Sequence, residues 1–505
     1  MRHTCVFVLA VSLTIAFVTG VCQSQFGPCG GEASNSVVQC PTSDIPLPYG
    51  TFSSTPLMDG TQAPWGNYGD VISLYGAYGN IEKTSSAPAY NHYKYGTDLA
   101  PGIVPLCTDG SQPQPGQNCS NNNQPPAILF LFLGFSNWDI EIGGGAYDIW
   151  EQGYPFPDPQ PGQPCATTCP NLNNPGGGAP WNQPGPPDTI VENSFLRMIY
   201  PSRGVLNGVG PHVVVFNGAL GNQLLSAWDV TAQYGYYRHN ACPFLPGGPK
   251  DPECNYKRVA IALANNGFSE LQVQAVFFKS ADGFPQCDLR GMYCAIGVSE
   301  PDAYTSERYL GDIVRYLKCC TLDANGNSTG IKRYPNLKQA FLTSRTYGGY
   351  AKNPLASPPP SPPPGCLNPE PYAFEEGIAV QRLITAQIRQ TNGIQTPVDS
   401  YAGPLDYSMA PWVDWGPYLW TDGFNGRSDG VVWCGGQSDP KCNEHYDVRW
   451  GDLLKPTIYW GDYTHPSAYG QAKVANLLFQ FITGTFPTGH PQQTISDWVM
   501  PWIGD

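Results

Sequence analysis

The chain has 505 residues, 57 of them Gly and 52 Pro, while charged residues make up only 13% and aromatics 12%. Abundant aromatics with little charge exclude a disordered chain, so the surplus Gly and Pro must sit in ordered loops around an ordinary core. The net charge of −14 argues against nucleic acid or an anionic membrane as partner, and the absence of a Gly-X-Y period excludes collagen.

Residues 1–20 read as a secretory signal peptide. Arg2 supplies the positive start, residues 5–18 are mostly apolar, and small residues around Gly20 suit cleavage. The apolar stretch is shorter than the ~20 residues that a membrane span needs, and no second long one follows. The expected mature protein is therefore extracellular, with no membrane span. Cleavage removes Cys5 and leaves an even number of the 17 cysteines, as a disulfide framework requires. Local pairs are expected for Cys165 with Cys169, Cys242 with Cys254, Cys287 with Cys294 and Cys434 with Cys442. No C-x2-C occurs and no His clusters with Cys, so no metal site and no cofactor are expected. Asn118 and Asn327 stand in Asn-X-Ser/Thr sequons within polar loops and are candidate glycosylation sites.

Residues 21–126 read as a loop-rich extension without sustained helical period. Residues 127–134 (AILFLFLG) form an apolar run too short for an amphipathic helix, the pattern of a strand buried on both faces. The same pattern recurs at 212–217, 271–278 and 338–344, with a shorter candidate at 457–460. Helical patterns cover 256–266, 303–319, 372–390 and 466–483. Strands alternating with helices predict an α/β domain over 127–490 with a parallel sheet of about five strands. Pro/Gly-rich insertions interrupt it at 151–190 and 353–367, and 491–505 read as a tail. The run SPPPSPPP at 357–364 suits polyproline II and is similar to the modules of hydroxyproline-rich cell-wall glycoproteins.

Ligands of an open parallel sheet bind beyond the carboxyl ends of its strands. Ser136 follows the first strand there, a Gly-rich turn with Gly221 and Asn222 follows the second, and Ser344, Arg345 and Tyr347 follow the fourth. Asp462 and His465 follow the fifth candidate. A carboxylate three residues before a histidine at a strand-to-helix turn can fix the imidazole tautomer, leaving the other nitrogen to take a proton from a serine. Ser136 is the preferred nucleophile and Ser344 its competitor. The backbone N–H groups of Ser136 and Gly221 are candidate oxyanion donors, with Asn222 as a further one. Arg345, Tyr347 and Trp420 are candidate substrate contacts. The Trp-rich stretch 411–460 reads first as loop packing and only second as sugar stacking. Glu375 and Glu376 are adjacent on a helix and face different ways, and Glu370 falls in a Pro-rich turn, which argues against a glycosidase carboxylate pair.

The ordered set LGFSN (133–137), NGALGNQ (217–223) with Trp228, SRTYGGYA (344–351), LNPEPYAFEEG (367–377), GPYLWTDG (416–423) with RSDGVVW (427–433), and GDYTHPSAYGQAKVA (461–475) resembles a divergent branch of the SGNH (GDSL-type) hydrolases. The resemblance implies a flavodoxin-like three-layer fold and a secreted esterase with Ser136, His465 and Asp462 as its catalytic set. The substrate would be an acyl group, O-acetyl first, on a carbohydrate or cell-wall ester. Ser136 sits in G-F-S-N rather than G-D-S-L, and the third block reads Lys279-Ser280-Ala281-Asp282-Gly283, without the family's G-x-N-D. The rival reading is a non-catalytic extracellular-matrix or carbohydrate-binding protein on the same fold.

Overall fold

The computed structural model describes residues 88–142, 194–199, 206–220, 223–231, 253–283, 285–289, 291, 294, 297–320, 332–346, 368, 370–394, 398–421, 431–433, 466, 468–486 and 493–504. The signal-peptide segment, the insertions at 151–190 and 353–367, and the strand expected at 457–460 lie outside them.

Five strands, β1 (Ile128–Gly134), β2 (Val213–Asn217), β3 (Val273–Lys279), β4 (Gln339–Leu342) and β5 (Trp412–Trp415), form one parallel sheet in the order β2-β1-β3-β4-β5. Every residue of β1 and β3 is buried, which is why β1 is apolar throughout and β3 mostly so, rather than alternating. The α/β expectation thus holds, with one difference among the strands. The fifth strand of the described sheet is Trp412–Trp415, within the stretch read as a Trp-rich loop.

Nine helices follow among the described residues. They are α1 (Pro88–Leu99), α2 (Ser136–Ile142), α3 (Phe195–Ile199), α4 (Leu225–Trp228), α5 (Cys254–Asn265), α6 (Asp302–Lys318), α7 (Tyr372–Thr391), α8 (Ala468–Thr483) and α9 (Met500–Ile503). Alternation along the strands divides the core in two. On one face Phe132 meets Phe195 of α3 at 5.7 Å, Phe341 meets Phe481 of α8 at 5.1 Å, and Phe130 meets Trp502 of α9 at 5.3 Å between ring centroids. On the other face Leu131 and Leu133 lie beside Val259 of α5, and Phe278 meets Trp228 of α4 at 6.0 Å. No helix among the described residues is long and apolar enough to cross a membrane.

Helix α1 corrects the reading of 21–126 as loop, and it closes the sheet edge. The N–H of Trp412 and the amide of Gly416 reach β4, donating to Lys338 O and Leu342 O at 3.1 and 2.7 Å. Val413 between them therefore points its backbone outward. Its N–H donates to Gln387 Oε1 of α7 at 2.8 Å, and its carbonyl lies 3.0 Å from His92 Nε2 of α1. A carbonyl can only accept, so Nε2 carries the ring proton. Behind His92, Gln339 donates to Gly96 O and Trp498 O at 3.1 and 3.0 Å and accepts from Trp502 Nε1 at 3.1 Å. Trp498, Val499, Trp502 and Ile503, within the stretch 491–505 read as a tail, are therefore part of the core.

Disulfides join Cys287 with Cys294, as expected, and also Cys107 with Cys119 and Cys319 with Cys320; Cys254 is disulfide-bonded as well. Asn118 beside Cys119 is exposed, with its amide donating to Asn123 O at 3.2 Å.

Candidate active site

The carboxyl end of β1 is shaped by one glycine. Gly134 has φ +152°, and a Cβ built on it would lie 1.8 Å from Lys279 O. Only glycine lets the two chains approach so closely. Phe135 then donates its N–H to Lys279 O at 3.4 Å, and Ser136 opens α2, half-buried. The turn after β2 lies alongside, with Gly218 N–H donating to Phe132 O at 2.7 Å and Leu220 N–H to Gly134 O at 3.2 Å. The first two sequence blocks thus meet at one sheet edge. Of the rest of the expected set, Gly221, Asn222, Tyr347, Asp462, His465 and, among the sequons, Asn327 fall outside the described residues.

The turns after β2 and β3 interlock. Arg258 donates to Gly218 O at 2.7 Å, Asn255 to Gln223 Oε1 at 2.8 Å, and Leu225 N–H to Ala281 O at 3.1 Å. From the other side Glu376 Oε1 accepts from Asp282 N–H at 2.8 Å, and Asn368 donates to Asp282 O at 2.8 Å. Glu375 accepts from Leu289 N–H at 3.1 Å, and Glu370 from Trp420 Nε1 at 2.8 Å and Phe374 N–H at 3.1 Å. The three glutamates hold backbone and indole groups in place, in keeping with the reading against a glycosidase pair.

Burial pushes the Glu376 carboxyl up to about 8, against the Asp282 N–H bond and with help from the Asp282 charge. Burial likewise raises Asp302 to about 7, opposed by the Cys287 N–H. Both folded values lie above the unfolded ones, so the folded state holds more protons. Their contribution to stability is then present below about pH 4 and is lost as pH rises through 7 to 8. The protein should be less stable at pH 8.5 than at pH 5 by on the order of a few kcal/mol, which a lower thermal midpoint at pH 8.5 would show. Glu376→Gln should flatten that slope; a slope unchanged in this variant would show that other groups set it.

Ser344 is buried, and its Oγ accepts from Trp420 N–H at 3.3 Å. The competitor for the nucleophile role is thus tied into the core by the stretch GPYLWTDG. Ser344→Ala should cost about 1 kcal/mol of stability and leave any hydrolytic activity near wild type. Trp420 is fully buried, its ring 4.7 Å from Phe374 and its N–H on Glu370. This packing makes it a support for Glu370 rather than the substrate contact expected from sequence. Trp412, Trp415 and Trp433 are buried too, as the packing reading requires. Arg345 is buried beside the end of β4.

The sequence reading missed the charges beneath Ser136. Lys279 and Glu141, both fully buried, pair at 2.5 Å, and Lys279 Nζ lies 5.3 Å from the centre of the Trp138 ring. Burial lowers the Lys279 pKa, Glu141 opposes this, and the Arg345 charge adds to it. One available signal was a lysine ending a mostly apolar strand, since a charge there needs a buried partner. Among the described residues no three His, Cys, Asp or Glu side chains are placed to hold a metal ion. Comparison with protein-family models, curated proteins and solved structures gives no match.

Proposed function

We propose that this protein is a secreted serine esterase of the SGNH type, acting on an acyl group carried by a carbohydrate. The observation that carries the reading is the setting of Ser136. It stands two residues past a buried parallel strand, half-exposed, beside the turn after β2. The strand order β2-β1-β3-β4-β5 among the described residues supports a flavodoxin-like reading, in which ligands bind where β1 and β3 diverge. Helices against both faces of the sheet fit the three-layer arrangement.

In this reading Ser136 Oγ attacks the ester carbonyl carbon while His465 takes its proton, with Asp462 orienting the imidazole. The backbone N–H groups of Ser136 and Gly221 bind the resulting oxyanion. Collapse breaks the bond to the sugar oxygen, which leaves with the proton from His465. Water then attacks the acyl-serine, His465 again accepting a proton, and free acid is released. The secretory leader and the SPPPSPPP run at 357–364 favour a cell-wall ester as substrate.

A fluorophosphonate probe followed by peptide mapping tests the chemistry, and Ser136 should be the labelled residue. Acetate release from acetylated polysaccharide tests the substrate, whereas turnover of long-chain lipid esters alone would redirect it. An unlabelled protein would hand the case to the carbohydrate-binding reading.

A further inference from the structure

We propose that Lys279 is a positioning residue for Ser136, acting through its buried pair with Glu141. The proposal rests on the serine-esterase reading above. Helix α2 has only seven residues, too few to hold a helix by local bonding, so contacts from outside must fix its direction. Lys279 supplies them at both ends of the turn. Its carbonyl receives the Phe135 N–H at 3.4 Å and abuts Gly134, so it sets the chain just before Ser136. Its ammonium donates to Glu141 Oε2 at 2.5 Å and lies over the Trp138 ring, so it sets the helix just after. Ser136 lies between these two grips.

Net stability does not account for such a pair. Removing two charges from water offsets most of their attraction, and apolar residues of similar size often replace a buried pair without loss. A hydrogen-bonded ion pair, unlike an apolar contact, has a direction. Sliding or rolling α2 by more than about 1 Å stretches the Lys279–Glu141 bond out of hydrogen-bond range, while an apolar pair would tolerate it. The neighbouring charge of Arg345, which also acts on Lys279, makes the position of the carboxylate more valuable still. The pair thus converts the rigidity of β3 into a fixed direction for the Ser136 hydroxyl.

The double variant Lys279→Met/Glu141→Leu separates this role from mere support of the fold. It should fold with a thermal midpoint close to wild type. Saturation kinetics with a fluorophosphonate probe should then give an unchanged binding constant and a maximal labelling rate about 10- to 100-fold lower. A maximal rate within about twofold of wild type would overturn the proposal. If the double variant does not fold, Glu141→Gln keeps the size and an acceptor for Lys279 while removing the charge. It should lower the maximal rate several-fold at constant binding, and a wild-type rate would again overturn the proposal. Absence of labelling at Ser136 in the wild-type protein would remove the esterase reading and this proposal together. Normal labelling in wild type and variants alike would remove the proposal alone.

Discussion

Ser136→Ala and His465→Ala should each lower kcat by about four to six orders of magnitude, and the double variant should be no worse than either. The reason is that a serine hydroxyl is a weak nucleophile without an adjacent base, and the base has no task without the hydroxyl. Asp462→Asn should cost about two orders of magnitude less, because it disturbs the orientation of His465 and spares the reacting groups. Steady-state hydrolysis of a released-chromophore acetate measures these effects, with circular dichroism to verify folding. Ser136 is half-exposed, so truncation to alanine leaves the core intact. Multiplicative losses in the double variant, or Ser136→Ala retaining a tenth of the activity, would remove Ser136 and His465 from a shared mechanism.

Gly134→Ala should be the most destabilising single methyl addition among the described glycines. Its Cβ would sit 1.8 Å from Lys279 O on backbone that cannot give way without breaking the β1–β3 pairing, at φ +152°. A loss of about 4 kcal/mol or more is expected, or failure to fold. Gly267→Ala is the matched control. It also has positive φ, +80°, but its Cβ would meet nothing within 4 Å, so only the conformational penalty of about 1–2 kcal/mol applies. Urea midpoints for the two variants give the comparison directly. Equal losses would mean that β1 and β3 can separate locally at little cost.

Four of the five strands were legible because a strand buried on both faces is apolar at most of its positions. The runs at 128–134 and 273–279 could hardly be anything else. β5 was not legible because Trp-Val-Asp-Trp carries a charge in its middle, and buried Asp414 finds partners there in His92 at 3.4 Å and the Trp415 N–H at 2.6 Å. Helix α1 was missed for the same reason in reverse. Its buried face is built from His92, Tyr93 and Gly96, residues that look like loop until Trp412 is laid across them. Ser136 and the Gly turn after β2 were legible because chemistry at a parallel sheet gathers at strand ends. The Lys279–Glu141 pair was not, since 138 residues separate two charges that no local pattern connects.

The hydrogen bonds around Gln339 bear on how the chain is made. Its side chain joins Gly96, Trp498 and Trp502, partners 243, 159 and 163 residues away in sequence. Tyr93 likewise bonds Asp497, and its carbonyl accepts from Trp498 Nε1 at 3.2 Å. During synthesis, which proceeds N-terminus first, Tyr93 meets Asp497 and Trp498 only after 404 and 405 further residues have been added. The strands can begin to pair earlier, but Gln339 and the buried side of α1 lack Trp498 and Trp502 until those residues emerge. Folding of this unit is therefore dominated by long loop closures, a slow route in which a nascent chain without residues 498–502 leaves these aromatic contacts open to whatever holds it.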